Sequence, residues 1–216
     1  MKLILGGSMF KWLIVAFISM LSMGSIAQEQ FVEGQHYQVI KTPVRTADPS
    51  RIEVAEVFWY GCPHCNTFRP VFEQWAKQQD DTVYSEHSPA MWNKSMIVHA
   101  RLFYTAKTLG KLEEMHKEIF DAMHIQGKRL LKENEIYTLF QKHGVAKEKF
   151  NKVFSSFGVN SLVQQADARA RSYGITGTPE VIINGKYRTS GRMAGSSANV
   201  FKVIEYLIEK EKALKS

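Results

Sequence analysis

The apolar positions of this chain change their period several times, and the changes divide it into segments. Trp12 to Met23 is a nearly unbroken apolar run of 12 residues preceded by Lys2 and Lys11, and small residues follow at Ser25-Ile26-Ala27. That pattern predicts a secretory signal peptide over residues 1–27, cleaved near Ala27; the run is shorter than the roughly 20 residues a membrane-spanning helix needs. Tyr37 to Ile40 is a short strand candidate, followed by a loop carrying Pro43 and Asp48-Pro49. Glu53 to Tyr60 is almost continuously apolar and β-favouring, which predicts a central strand covered on both faces. The strand stops at Gly61. From Cys62 the period becomes helical, with Phe68, Val71, Phe72 and Trp75 three and four apart and Pro70 placed to kink the helix. Thr82 to Glu86 reads as a second strand.

Helical periodicity then dominates from Ser95 for about 80 residues. One stripe is Leu112, Met115, His116, Ile119, Phe120 and Met123; a second is Ile136, Leu139 and Phe140; a third is Phe150, Val153, Phe154 and Phe157. Gly110, Gly127, Gly144 and Gly158 stand where helix ends are expected. After a helix predicted over Ser161 to Tyr173 come Thr178-Pro179 and two β-favouring runs joined by Asn184-Gly185, a strong hairpin signal. An amphipathic helix capped by Ser196 or Ser197 closes the chain. Strand and helix alternate early, helices fill the middle, and a hairpin with a helix ends it, so the fold class is α/β with a helical insertion.

Without residues 1–27 the chain keeps 189 residues, enough for one domain with an insertion. The charge changes the picture little. With Lys2 and Lys11 removed, 26 basic residues face 21 acidic ones, and the basic residues are scattered, so no nucleic-acid partner is expected.

The cysteine count changes it a great deal. Cys62 and Cys65 are the only two, three positions apart, in a chain read as exported. Structural zinc needs four ligands and no second pair exists, so no metal site is expected there; covalent haem needs His after the second Cys, where Asn66 stands. A disulfide closing so short a loop adds little stability, which argues against a static bridge and for redox chemistry. A thiolate is the nucleophile, and a free thiol is only a few per cent ionised near pH 7. Placed at a helix N-terminus, Cys62 gains unpaired N–H groups and the positive end of the dipole, Pro63 loses no hydrogen bond in the first turn, and a protonated His64 would add positive charge. These contacts exist only in the reduced form, so the predicted direction is disulfide donation.

The set formed by Cys62-Pro63-His64-Cys65, the strand Glu56-Val57-Phe58 before it, the long helical stretch, Gly177-Thr178-Pro179 and Asn184-Gly185-Lys186-Tyr187 resembles the DsbA-type thiol:disulfide oxidoreductases of the bacterial periplasm. The resemblance implies a thioredoxin fold with an inserted helical domain, with residues 28–90 and 160–216 as the thioredoxin-like part and 91–159 as the insertion. It implies Cys62 as the exposed nucleophile, Cys65 as the buried resolving sulfur, Glu56 as a buried acid moving the Cys65 proton, and a cis peptide before Pro179. The family pattern can carry a Lys on the next strand, where Ser85-Glu86-His87 stands, and often Val where Thr178 stands. The implied activity is a periplasmic dithiol oxidase that donates the Cys62–Cys65 disulfide to newly exported proteins with free cysteines. It needs no cofactor beyond that disulfide, acts as a monomer, and is reoxidised by a DsbB-like membrane oxidase. Substrate is expected around Cys62, Thr178, Pro179 and the apolar loop containing Met91 and Trp92. An isomerase or reductase of the same fold, and a redox-inert peptide-binding chaperone, are the alternatives.

Overall fold

The structure is a computed structural model describing residues 31–215; the signal peptide assigned to residues 1–27 lies outside them. Gln38–Val39 forms β1 and Ile52–Phe58 forms β2, all seven residues of which are buried. The helix α1, Pro63–Ala76, follows at once and runs on through Pro70. The strand β3, Val83–Pro89, lies parallel to β2. Then come α2 (Lys94–Thr108), α3 (Leu112–His124), α4 (Glu133–Lys142), α5 (Lys147–Phe154) and α6 (Phe157–Tyr173). The strands β4 (Glu180–Ile183) and β5 (Tyr187–Ser190), the single turn α7 (Gly191–Ala194) and α8 (Ser197–Lys215) complete the order. The sheet order is β1-β5-β4-β2-β3, with only the β2–β3 pair parallel.

Because side chains alternate across a strand, β2 feeds two cores. Ile52 and Val54 join Phe68, Phe72 and Trp75 of α1 and Val203, Ile204 and Leu207 of α8. Ala55 and Val57 join Leu102 and Phe103 of α2, Ile119 of α3 and Val163 of α6. Each fully buried aromatic or aliphatic side chain contributes about 1.5–3 kcal/mol, so the sheet is fixed from both faces. The predicted apolar strand also carries two buried acids, and each is paired. Glu53 receives Arg169 Nη2 at 2.6 Å and the Tyr84 hydroxyl at 2.5 Å, and Arg169 Nη1 lies 2.9 Å from Glu86. A buried carboxylate is tolerated on such a strand only with partners of this kind.

Two local expectations need correcting. Phe157 does not continue the stripe of Phe150 and Phe154: it is 86% exposed and opens α6. The Ser156 hydroxyl accepts the Val159 N–H at 3.1 Å, so the cap resets the helix phase; it also starts the helix at Phe157 rather than Ser161. Gly158 accordingly lies within the first turn of α6, while Gly110, Gly127 and Gly144 have the positive φ of helix ends. The Asn184-Gly185 turn forms as predicted, with φ of 51° and 64°. A Cβ on Gly185 would stand 1.9 Å from the Val44 carbonyl oxygen, so that position admits glycine alone. Among the described residues, no helix is long and apolar enough to cross a membrane.

Candidate active site

The strand-to-helix junction is held by aromatic groups. Trp59 Nε1 donates to His99 Nδ1 at 2.9 Å, and its ring covers Gly61 so closely that a Cβ there would be 2.3 Å from it. His124 Nε2 bonds the Tyr60 carbonyl at 2.8 Å, and the Cys62 N–H returns to the Trp59 carbonyl at 3.0 Å. So fixed, the turn delivers Cys62 as the N-cap of α1, with extended backbone and Pro63 in the first turn. Both cysteines are free thiols in this structure.

The two sulfurs are electrostatically opposite. The Cys62 pKa is lowered from an ordinary 9.0 to about 5, first by the hydrogen bond its sulfur receives from the Cys65 thiol. Burial opposes this, while the Thr178 side chain and the backbone N–H groups of Cys65 and His64 reinforce it. The Cys65 N–H lies 3.4 Å from the Cys62 sulfur, and as a thiol Cys62 donates to the Thr178 carbonyl at 3.3 Å. What His64 supplies to the thiolate is its backbone N–H; its ring is exposed at the edge of a groove. Cys65 is fully buried. Burial first, then the hydrogen bond it gives to Cys62, then the negative charges of Glu56 and Cys62 push its pKa far above the thiol range.

Glu56 sits in the strand beneath these sulfurs, 1% exposed, and is paired with His87 Nδ1 at 2.8 Å. The pairing follows from the parallel register of β2 and β3, which sets Glu56 opposite His87. His87 thus occupies the neighbourhood in which the family pattern can carry a Lys. No sequence spacing announces this contact, since the partners lie 31 residues apart. The second oxygen, Glu56 Oε1, has no hydrogen-bond partner among the described residues. Behind the pair, the Tyr60 hydroxyl and His116 Nδ1 share a 2.8 Å hydrogen bond, and His116 is held neutral first by burial, then by the charges of His87 and Arg69.

Thr178 and Pro179, joined by a cis peptide bond, arrive from the loop before β4 and close the site 116 residues from Cys62. An adjoining groove is lined by His64, Val71, Thr178, Pro179, Arg192 and Phe201. The structure therefore brings Cys62, Cys65, Pro63, His64, Thr178 and Pro179 together, with Pro63 and His64 exposed, Cys62 only 6% exposed rather than open to solvent as expected, Cys65 fully buried, and Glu56 below. Trp92 is 54% exposed and is not part of that groove's lining, and Met91 is buried. The groove walls from α7 and α8, Arg192 and Phe201, have no sequence signal, because only the fold brings the C-terminal helix beside α1. Thr178→Val removes a side-chain donor to the Cys62 sulfur, so the Cys62 pKa should rise above about 5. Thiolate absorbance near 240 nm followed against pH reads this directly, and an unmoved midpoint would remove Thr178 from the site's electrostatics.

Residues 85–203 match the profile of the DSBA-like thioredoxin domain, a span that includes His87 and Thr178-Pro179. The thiol:disulfide interchange protein DsbA of Azotobacter vinelandii is 37% identical over 216 residues, covering 98% of each chain. The protein of that name from Pseudomonas aeruginosa PAO1 is 34% identical over 203 residues, covering 93% of this chain and 96% of its own. The crystal structure of Pseudomonas aeruginosa DsbA superposes with a TM-score of 0.82 at 34% identity, covering 86% of this chain and 96% of that one. The oxidoreductase DsbA from Xylella fastidiosa superposes with a TM-score of 0.79 at 28% identity, over 85% and 98%. With a thioredoxin-like fold and relatives matched over nearly their whole length, the chain belongs to the DsbA family of thiol:disulfide oxidoreductases.

Proposed function

We propose that this chain is a periplasmic dithiol oxidase, exported by residues 1–27, that donates a Cys62–Cys65 disulfide to newly exported proteins with free cysteines. The reading rests on one contrast: the outer sulfur is stabilised as a thiolate near pH 5, while the inner one is held as a thiol. A substrate thiolate attacks the Cys62 sulfur, the Cys62–Cys65 bond breaks, and a mixed disulfide forms as Cys65 leaves with the electron pair. Its burial disfavours that charge, so Cys65 takes up a proton; Glu56, paired with His87, is the group assigned to move it. A second substrate thiolate then attacks the substrate sulfur of the mixed disulfide. Cys62 leaves as a stabilised thiolate, the substrate gains a disulfide, and two electrons remain on the pair. Thr178 and Pro179 form the wall against which an extended substrate segment pairs, and residues 91–159 form the helical insertion over the sheet. No cofactor enters; one chain carries the whole site and works as a monomer. A DsbB-like membrane oxidase returns Cys62 and Cys65 to the disulfide.

The test is the redox state in intact cells, read with a mass-shifting thiol reagent. A mostly oxidised protein is expected; a mostly reduced one overturns the oxidase in favour of an isomerase or reductase.

A further inference from the structure

We propose that Glu73, His87 and His116 form a binding site for a zinc-class divalent ion, clipping the active-site helix α1 to the helix α3. One ligand atom from each lies within 4.8 Å of the other two, and this is the metal-competent group of three found among the described residues. The two imidazoles are already oriented as ligands. His87 Nδ1 is taken by Glu56 at 2.8 Å and His116 Nδ1 by Tyr60 at 2.8 Å, so the nitrogens left for an ion are the two Nε2 atoms. A carboxylate, backbone carbonyl or water accepting from the far ring nitrogen is the usual outer partner of a metal-bound histidine, fixing tautomer and ring orientation; Glu56 is such a carboxylate, and the Tyr60 oxygen can accept in the same way.

An independent observation points to a ligand in this place. Among the described residues His116, 4% exposed, has no hydrogen-bond partner at Nε2, and Glu56 Oε1, on the carboxylate paired with His87, is likewise buried without one. Buried polar atoms are rarely left unsatisfied, and two in one cluster mark a place built for something further. Two imidazoles and one carboxylate, with a coordination position to spare, suit a zinc-class ion better than calcium or magnesium, which take oxygen sets. The side chains of His87 and Glu73 are 18% and 36% exposed, which leaves a way in from solvent. Arg69 is the opposing charge: its Nη1 holds Glu73 at 2.8 and 2.9 Å. Glu56 offsets it, and a carboxylate can keep one oxygen on Arg69 while giving the other to the ion.

The test uses the untagged oxidised protein, whose closed Cys62–Cys65 disulfide cannot offer thiolates. Zinc is titrated in competition with a chromophoric chelator, and cobalt(II) by its visible absorption. One ion per chain is expected, with a melting temperature that rises with zinc concentration and falls back on adding chelator. His87→Gln and Glu73→Gln should each abolish stoichiometric binding. Tyr60→Phe, losing only the outer partner, should weaken it about tenfold. His116→Gln alters a buried position, whereas Glu73 lies on the partly exposed face of α1, so Glu73→Gln tests the site even if the former does not fold. Absence of one-to-one binding in the folded protein, or binding undiminished in both His87→Gln and Glu73→Gln, overturns the site and leaves water as its occupant.

Discussion

Reduced protein mixed with a small disulfide at pH 6 should react through Cys62 alone, about tenfold faster than an ordinary thiol. With its pKa at about 5, Cys62 is mostly ionised at that pH, whereas a thiol of pKa 9.0 is ionised to roughly one part in a thousand. Against that thousandfold population gain, a thiolate of lower basicity is a weaker nucleophile by roughly 60-fold over four pKa units, and the quotient is the expected advantage. The rate should fall off with a midpoint near pH 5. Cys62→Ser should show no native-state reaction, because the remaining Cys65 is buried and held protonated. Cys65→Ser keeps an O–H donor to the Cys62 sulfur and should preserve the low midpoint, while Cys65→Ala removes the largest stabilising contact and should raise it. Equal reactivity of the two cysteines at pH 6 would refute the assigned roles.

The second large effect concerns stability. Cys62 titrates at about 5 when folded and near 9 when unfolded, so its folded pKa is the depressed one. Between those values the folded reduced chain carries a thiolate where the unfolded chain carries a thiol, and folding releases a proton. Stability of the reduced form should therefore climb with pH across this window, with a slope approaching about 1.4 kcal/mol per pH unit. The contribution is complete above about pH 9 and lost as the pH falls through about 5. Cys65, whose pKa is raised, acts in the opposite sense only above the ordinary thiol range. The oxidised form has neither titration, so the difference in melting temperature, reduced minus oxidised, isolates the effect and should widen from pH 5 to pH 8. A constant difference across that range would mean that Cys62 is not a stabilised thiolate.

Sequence legibility follows the range of the interactions involved. Cys62 and Cys65 are readable because spacing, the preceding apolar run and Pro63 act within one strand-to-helix junction. Thr178 and Pro179 are readable only by family resemblance, since 116 residues separate Thr178 from the sulfur its carbonyl touches. The partner of Glu56 is not readable, because parallel register decides it and nothing local encodes register between β2 and β3. Trp92, expected at the substrate surface, is 54% exposed on a loop whose next residue, Asn93, caps α2 through the Met96 N–H at 3.0 Å, so both a packing and a binding reason for that loop lie side by side. Phe157 misleads because a serine cap restarts the helix one residue before it.

The seven-residue strand β2 also limits how this protein can vary. It is bonded on one side to β3 and on the other to β4, so its position along the sheet is fixed twice over. A single inserted or deleted residue between Ile52 and Cys62 would exchange Glu56 for Ala55 or Val57 beneath the sulfurs and turn a carboxylate toward the opposite core. A change of length is closed to this stretch; insertions belong in the preceding loop, 41–51, whose residues are exposed or half-exposed, away from Val44, which bonds to Gly185. In an engineering library, the spacing from Ile52 to Cys65 is the quantity to hold constant while the groove residues are varied.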